Sequence, residues 1–482
     1  MDGAPRFIRC GVARLERMTG QSGAAQRRGL SSEPADSVNS KERHIPGAAL
    51  STQTQERLIR PARNVYGSLC LPGDKSISHR YGMLAAFAEG TSRFTNFSTG
   101  ADCASTLACM EALGAKVHRT EDGTIEVTGV ADRVTPCAQP LDCGNSGSSM
   151  RMISGLLAPQ QGSFTLIGDE SLSRRPMERI RKPLEAMGAR LTLTEGHAPL
   201  TILGGPLQAI DYTTPVPSAQ VKTCVLLAGL QTAGTTTVRE AVRTRDHSEL
   251  ALRAFGATLT RTLDSVSIAG PQALHAIDAA VPGDISSAAF FLCAAALFPD
   301  SNLVLDALGL NPTRATLLDV LTSLGVRISV IHLEEKNAEL VGTVKVNAPA
   351  EGLGTAVVSG ALAAQLIDEL PVLAAIAPYT SGGIRIRDAK ELRVKESDRI
   401  ALTVKNLRAM GAEVTEFEDG LDVPGGQTLH GATIDSGGDH RIAMAFSVAA
   451  LRAEGETLIQ GAESAAISFP EFFNLLDLVA ER

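Results

Sequence analysis

Met110-Glu-Ala-Leu-Gly114-Ala-Lys-Val117, Leu184-Glu-Ala-Met-Gly188-Ala-Arg-Leu191, Leu252-Arg-Ala-Phe-Gly256-Ala-Thr-Leu259, Leu321-Thr-Ser-Leu-Gly325-Val-Arg-Ile328 and Leu407-Arg-Ala-Met-Gly411-Ala-Glu-Val414 are copies of one pattern. Each reads as the end of an amphipathic helix, a glycine, and the start of a strand. Glycine is the residue expected at a left-handed C-terminal cap, and the alternating residues behind it begin a half-buried strand. The glycines lie 74, 68, 69 and 86 residues apart. The unit is therefore about 70 residues, larger than common solenoid repeats and long enough for two helices and several strands. A degenerate sixth copy ends near Phe472-Phe473-Asn474-Leu475-Leu476. Six α/β units arranged as three plus three predict two similar globular halves.

The bulk properties agree. A chain of 482 residues is too long for one ordinary core. An apolar fraction of 44% with 20% charged residues is that of a soluble globular protein. Residues 1–60 hold 10 Lys/Arg against 6 Asp/Glu, so the net charge of -8 leaves -12 on the remainder. A body that acidic excludes a nucleic-acid surface, which needs a broad basic patch. The cysteines form no Cys-x-x-Cys pair and have no zinc-type histidine neighbours, so free, mostly buried thiols in a reducing cytoplasm are expected and no metal site is assigned. The longest strongly apolar run, Ala288 to Phe298, falls short of the ~20 residues of a membrane helix. Residues 1–56, rich in Gly, Ser, Gln and Arg and without an apolar period, read as a flexible extension with no assigned function, either a tail, a transit peptide or the product of an upstream start codon.

Three clusters carry the chemistry. Asp74-Lys75-Ser76-Ile77-Ser78-His79-Arg80, Gly144-Asn145-Ser146-Gly147-Ser148-Ser149-Met150-Arg151 and Arg393-Val394-Lys395-Glu396-Ser397-Asp398-Arg399 pack cations, hydroxyls and small residues at what read as helix starts. A helix start offers unpaired N–H groups and a positive dipole end, so a phosphate or carboxylate can sit there with Lys or Arg beside it. Ser76 and Arg80, four apart, share one face of a helix that Asp74 can cap. Arg175, in Arg174-Arg175-Pro176-Met177, reads as the start of a helix whose first turn tolerates proline. Pro215-Val216-Pro217 leads stiffly into a helix beginning with Ser218, Ala219 and Gln220. Asp368 or Glu369 interrupts an apolar stretch, where a carboxylate is costly unless paired or used. Lys395 and Arg399, four apart, read as one helical face. Taken singly, each is equally a capped surface helix or a set of solvated charges.

Leu71-Pro-Gly-Asp-Lys75-Ser-Ile-Ser-His-Arg80, Gly168-Asp-Glu-Ser-Leu-Ser-Arg-Arg175-Pro-Met, Ser218-Ala-Gln220-Val-Lys222, Arg393-Val-Lys-Glu-Ser-Asp-Arg399 and Asp439-His-Arg441 together resemble the signatures of the 5-enolpyruvylshikimate-3-phosphate synthase family, in one order from about residue 57 to the C-terminus. The resemblance implies two domains of three repeated α/β units each, of the inside-out α/β barrel type, with the chain crossing twice between them. Residues 57–76 with 283–482 would form one domain and 77–282 the other, with the site in the cleft between. It implies transfer of an enolpyruvyl group from phosphoenolpyruvate to the 5-hydroxyl of shikimate 3-phosphate by a cytoplasmic enzyme, expected to be a monomer, without metal or organic cofactor. Two phosphates and two carboxylates must then be bound, a task for guanidinium forks on an otherwise acidic chain.

By the same resemblance Lys75, Ser76, Arg80, Ser218, Ala219, Gln220, Arg245, Asp368 and Lys395 hold shikimate 3-phosphate. Lys75, Gly147, Arg175, Gln220, Arg399 and Arg441 hold phosphoenolpyruvate. Asp368 is implied as the proton acceptor at the hydroxyl, Glu396 as the acid at the methylene carbon, and Lys75 as a group reaching both substrates. Ile467 stands where many members carry a lysine, and Glu391 where an asparagine is common. Three other readings fit the residues less well. The sister enzyme acting on UDP-N-acetylglucosamine usually carries a cysteine that Gly168 to Arg175 lacks. Gly73-Asp-Lys75-Ser76 lacks the glycine placement of a nucleotide-binding loop. A non-catalytic anion-binding relative would not need Lys75, Asp368, Lys395, Glu396 and Arg399 intact together.

Overall fold

A computed structural model describes residues 55–131, 134–135 and 139–482. The expected extension, residues 1–56, lies outside the described residues up to position 54, but Glu56 already opens a strand, Glu56–Ile59, paired antiparallel with Thr457–Gln460.

The five repeat glycines each sit just past a helix with positive φ, from 87° at Gly411 to 108° at Gly114. Behind each, the next amide donates five residues back, as in Ala115 N to the Met110 carbonyl at 3.1 Å and Ala412 N to the Leu407 carbonyl at 2.9 Å. This double-turn cap satisfies the last helix carbonyls and turns the chain into the strand that follows.

Each unit builds the same sheet. A strand pairs parallel on one side and antiparallel on the other, and a fourth strand closes the antiparallel hairpin. Gly162–Ile167, for example, runs parallel to Leu141–Asp142 and antiparallel to His197–Gly204, which pairs with Arg190–Thr194. Gly234–Arg239 and Ile384–Ile386 repeat this order. Two units borrow their parallel strand from a distant part of the chain. Thr91–Thr95 takes Asp278–Ala280, and Asn302–Gly309 takes Asn64–Cys70. In the sixth unit Thr457–Gln460 pairs with Thr433–Asp435 and with the N-terminal strand Glu56–Ile59, so a local hairpin with its glycine is not needed. None of the described sheets closes on itself.

The buried apolar side chains form two clusters. One gathers residues between Ile59 and Leu71 with residues between Ile285 and Ala480, and the other gathers residues between Ile77 and Val281. At the centre of each are three helices that are buried nearly all round and carry their polar residues mainly toward their starts. Lys75–Ala86, Gly147–Leu157 and Ala219–Leu230 serve one, and Ile285–Ala296, Leu370–Ile376 and His440–Ala450 the other. The chain passes between the clusters at Leu71-Pro72-Gly73-Asp74 and Val281-Pro282-Gly283-Asp284. These related segments bond reciprocally, Asp74 N to the Pro282 carbonyl at 2.8 Å and Asp284 N to the Pro72 carbonyl at 3.0 Å.

Central helices touch backbone to backbone. A Cβ on Gly155 would lie 2.0 Å from the Cys224 carbonyl oxygen, whereas one on Gly188 would meet nothing nearer than 3.9 Å. Gly155→Ala should therefore destabilise by about 3 kcal/mol through overpacking. Gly188→Ala should cost only about 1 kcal/mol, the strain of its positive φ. Urea unfolding of the two variants checks the order, and a larger loss at Gly188 would contradict this packing.

Candidate active site

The central helices begin at one place, and their caps are polar. The side chains of Asp74, Ser146, Ser218, Asp284 and Asp439 each accept a first-turn amide, at 2.9, 3.1, 3.3, 2.8 and 2.9 Å respectively. The residues just past these caps are Lys75, Gly147, Ala219, Ile285 and His440. The Lys75 amide also faces the Asp284 carboxylate at 3.4 Å, so starts from both clusters meet there.

On the side of the 77–281 cluster, Arg80 is buried beside Ser76. It donates to the Ser76 carbonyl at 2.8 Å, to Ser248 Oγ at 2.7 Å and to Thr223 Oγ1 at 3.2 Å. All three acceptors are neutral, and burial pushes the guanidinium down to about 10. A cation held only by neutral oxygens keeps its charge available to an anion. Gln220, in the first turn after Ser218 and Ala219, accepts from Arg151 at 2.7 Å and donates to Ser148 Oγ at 2.9 Å. Arg175 donates to the side chain and carbonyl of Asn145 at 2.8 and 3.1 Å. A Cβ on Gly147 would stand 3.1 Å from Arg151 and 3.4 Å from Arg175, so the glycine lets both guanidinium groups lie against the helix start.

The other side supplies carboxylates among cations. Asp368, between the helices Gly360–Gln365 and Leu370–Ile376, accepts from Arg245 at 2.5 Å and from Arg399 at 3.5 Å. Lys395 and Arg441 lie 3.8 and 4.0 Å from its oxygens, and Arg441 also donates to its carbonyl at 2.7 Å. Burial works to raise its pKa, but Arg441, Lys395, Arg245 and Arg399 hold it well below the ordinary carboxylate range. Glu396 is treated alike. Burial opposes its charge, while Arg399 at 2.5 Å and Arg175 at 3.7 Å keep it ionised. Arg399, 1% exposed, is clamped by Asp439 at 2.8 Å. Lys75 reaches Asp102 at 2.9 Å; burial disfavours its charge, but Asp102 and Glu396 raise its pKa. Glu369, the other carboxylate in question, lies 3.7 Å from Arg314 and 3.9 Å from Arg441 and accepts from Ser286, and neither Lys395 nor Arg245 pairs with it.

Two local readings are corrected. Arg175 does not start a helix: it lies in the link between Glu170–Ser173 and Glu178–Ala186, where Pro176 and the Met177 cap delay the second helix. Lys395 and Glu396 share no helical face with Arg399. The 3-10 turn Lys390–Val394 ends before them, and Asp398 caps a helix that begins at Arg399 itself. Being off the helix frees both side chains to turn toward Asp368 and Arg175.

Sequence reasoning placed Arg151 in a cluster but gave it no role, and passed over Asp102, Asp284 and Arg314, which belong to the same constellation. Asp284 carried a signal, since Pro282-Gly283-Asp284-Ile285-Ser286 repeats Pro72-Gly73-Asp74-Lys75-Ser76. Asp102 and Arg314 carried none. Among the described residues no three His, Cys, Asp or Glu side chains group as a metal ion would require, and no helix is long and apolar enough to cross a membrane.

Known proteins give the arrangement its context. The family model described as EPSP synthase (3-phosphoshikimate 1-carboxyvinyltransferase) matches residues 59–476. A 3-phosphoshikimate 1-carboxyvinyltransferase of Koribacter versatilis is 65% identical over 424 residues, covering 88% of this chain and 99% of its own. The protein of that name in Solibacter usitatus is 53% identical over 430 residues, covering 88% of this chain and all of its own, 100%. A solved EPSP synthase from Acinetobacter baumannii superposes with a TM-score of 0.79 at 38% identity, covering 89% of this chain and 98% of that one. With matches of this extent, and with the repeated α/β units and cation-lined helix starts described above, the chain belongs to the EPSP synthase family.

Proposed function

We propose that this protein transfers the enolpyruvyl group of phosphoenolpyruvate to the 5-hydroxyl of shikimate 3-phosphate, releasing phosphate, as a step of the shikimate pathway toward aromatic amino acids. The observation that carries the reading is Asp368, held by Arg245 from one apolar cluster and by Lys395, Arg399 and Arg441 from the other. The clusters are the two domains, 57–76 with 283–482 and 77–282, and the substrates lie between them. Every group in the scheme comes from one chain, which is the basis for reading a monomer, and the buried thiols of Cys103, Cys224 and Cys293, which burial pushes up, suit a reducing cytoplasm.

Lys75, Ser76, Arg80, Ser218, Ala219, Gln220, Arg245 and Lys395 hold shikimate 3-phosphate with its 5-hydroxyl at Asp368. Lys75, Gly147, Arg175, Gln220, Arg399 and Arg441 hold phosphoenolpyruvate with its methylene carbon at Glu396. Asp368 takes the hydroxyl proton as the oxygen attacks the substituted carbon, and Glu396 delivers a proton to the methylene carbon. The product keeps its double bond, so as phosphate departs one proton of the new methyl group returns to the Glu396 carboxylate that supplied it.

An acid needs a proton, and the free site has its carboxylates ionised. The substrates resolve this. Phosphoenolpyruvate takes Arg175 and Arg399 from Glu396, which removes the cause of its depressed pKa and loads it with a proton, while the cations left around Asp368 keep that carboxylate ionised to accept one. Closure over the pair then excludes water.

Purified protein should release phosphate from phosphoenolpyruvate with shikimate 3-phosphate and not with UDP-N-acetylglucosamine. Asp368→Ala should lower kcat by about 10²–10⁴. Release with the sugar nucleotide, or an active Asp368→Ala, would overturn the assignment. The ionised pair also predicts an acid limb of stability. A carboxylate whose folded pKa lies below its ordinary value, 3.8 for Asp368 and 4.5 for Glu396, stabilises the fold above that value and loses the contribution as pH falls through the lowered one. In urea titrations from about pH 6 to about pH 3, Asp368→Asn should flatten the fall seen in the wild type. An unchanged slope would show that the cations around Asp368 do not lower its pKa.

A further inference from the structure

Lys222, Glu240 and Glu249 form a buried charge cluster that the scheme above does not use. Lys222 is 0% exposed, and its Nζ lies 2.9 Å from Glu240 Oε2 and 2.8 Å from Glu249 Oε1. Among the described residues no other cation pairs with either carboxylate. The two are held differently. Glu240 accepts a hydrogen bond from Lys222 and another from Thr244. Glu249 lies close to Lys222, but among the described residues neither of its oxygens finds a hydrogen-bond donor. A buried carboxylate in that condition is kept in place by the charge of Lys222, and its capacity to accept hydrogen bonds is unmet.

The cluster adjoins Arg80. Lys222 and Thr223 are neighbours in the helix Ala219–Leu230, and Ser248 and Glu249 are neighbours in the helix His247–Ala254. The two helices meet through paired contacts. The hydroxyls of Thr223 and Ser248 bond each other and receive Arg80, while Lys222 and Glu249 meet one residue along. Burial works against the Arg80 charge, and Glu249 is the carboxylate that does most to support it, ahead of Asp74. A buried anion with unmet hydrogen-bonding capacity therefore neighbours a buried cation bonded only to neutral oxygens. A carboxylate and a guanidinium so placed pair readily, since two parallel N–H···O bonds satisfy both at once. The contact that prevents this is the one between Glu249 and Lys222.

We infer that Lys222 is a positioning residue that draws Glu249 away from Arg80 and so keeps the guanidinium free for an oxyanion of shikimate 3-phosphate, its carboxylate or its phosphate. The inference rests on the role proposed above for Arg80. Without Lys222, Glu249 turns to Arg80, and the substrate must displace a carboxylate in order to bind. The loss falls on binding, because Asp368 and Glu396 carry the chemistry elsewhere in the site.

The test uses the full chain with Lys222→Met, with Glu249→Gln and with both. Steady-state kinetics read KM for shikimate 3-phosphate and kcat separately. Lys222→Met should raise that KM about 10- to 100-fold, the cost of displacing a charged hydrogen-bonded partner, with kcat nearly unchanged. Glu249→Gln alone should leave KM no higher than in the wild type, and adding it to Lys222→Met should recover most of the loss. A lysine serving only the local fold gives a different pattern: Glu249→Gln also raises KM, and the double variant is no better than Lys222→Met. Either result overturns the inference, and the Glu249→Gln arm decides it even where Lys222→Met does not fold. Calorimetric titration with shikimate and with inorganic phosphate, separately, identifies the oxyanion: the one that Lys222→Met binds more weakly is the one Arg80 takes, and unchanged binding of both overturns the inference. A crystal structure of ligand-free Lys222→Met needs no substrate. Glu249 bonded to Arg80 in place of Ser248 is the expected result, and Arg80 still on Ser248 with Glu249 turned elsewhere contradicts it. That arm judges Lys222 even if the wild type fails to release phosphate, an outcome that would count against the reaction alone.

Discussion

Positive charge crowded into a small, largely buried volume is the constraint on which this structure turns. Arg175, Arg245, Lys395, Arg399 and Arg441 converge on a region where Asp368, Glu396 and Asp439 supply the nearest negative charge. Buried cations are tolerated when paired, and removing one partner of such a pair typically costs about 3–5 kcal/mol. Arg399 shows the arrangement most plainly. It contacts all three carboxylates, and Asp439 remains on it when a ligand takes the place of the other two. Asp368 and Glu396 have the opposite character, because their partners are arginines with a second use. Each stands where an anionic substrate group would stand, and Glu396 gains a proton when displaced while Asp368 stays ionised.

The fold serves this arrangement by repeating one unit. An apolar central helix has one end that is easily made polar, its start, where N–H groups lack partners and the dipole favours anions. Stacking three such helices per cluster, and joining the clusters at the paired Pro-Gly-Asp crossings, brings helix starts from both together. The acidic remainder of the chain keeps the positive field local.

Much of this was legible in the sequence. The five glycines disclose the repeat because a left-handed cap is a local demand that few other residues meet, and their helices and strands follow where expected. Asp74 and Ser218 cap the helices assigned to them because capping also operates within one turn. Arg175 and Lys395 were misplaced for a related reason. A spacing of four residues reads as one helical face only if the helix has begun, and a cap at Met177 or Asp398 moves the start by a few residues. The partnerships of Arg179 with Glu391, Lys75 with Asp102 and Glu369 with Arg314 were not legible at all. They join segments far apart in the chain, and nothing in either segment alone names the other.

The central claim is that substrates displace the site's own carboxylates from their arginines and thereby load Glu396 with a proton. The most direct test is proton exchange on binding, followed by calorimetry in buffers of different ionisation enthalpy with shikimate 3-phosphate and an unreactive phosphoenolpyruvate analogue. At about pH 8 ligand phosphates are already fully ionised, since their second pKa is about 6. Net proton uptake by the wild type, lost in Glu396→Gln, is the predicted result. Binding of both ligands with no uptake, or with the same uptake in Glu396→Gln, would contradict the account.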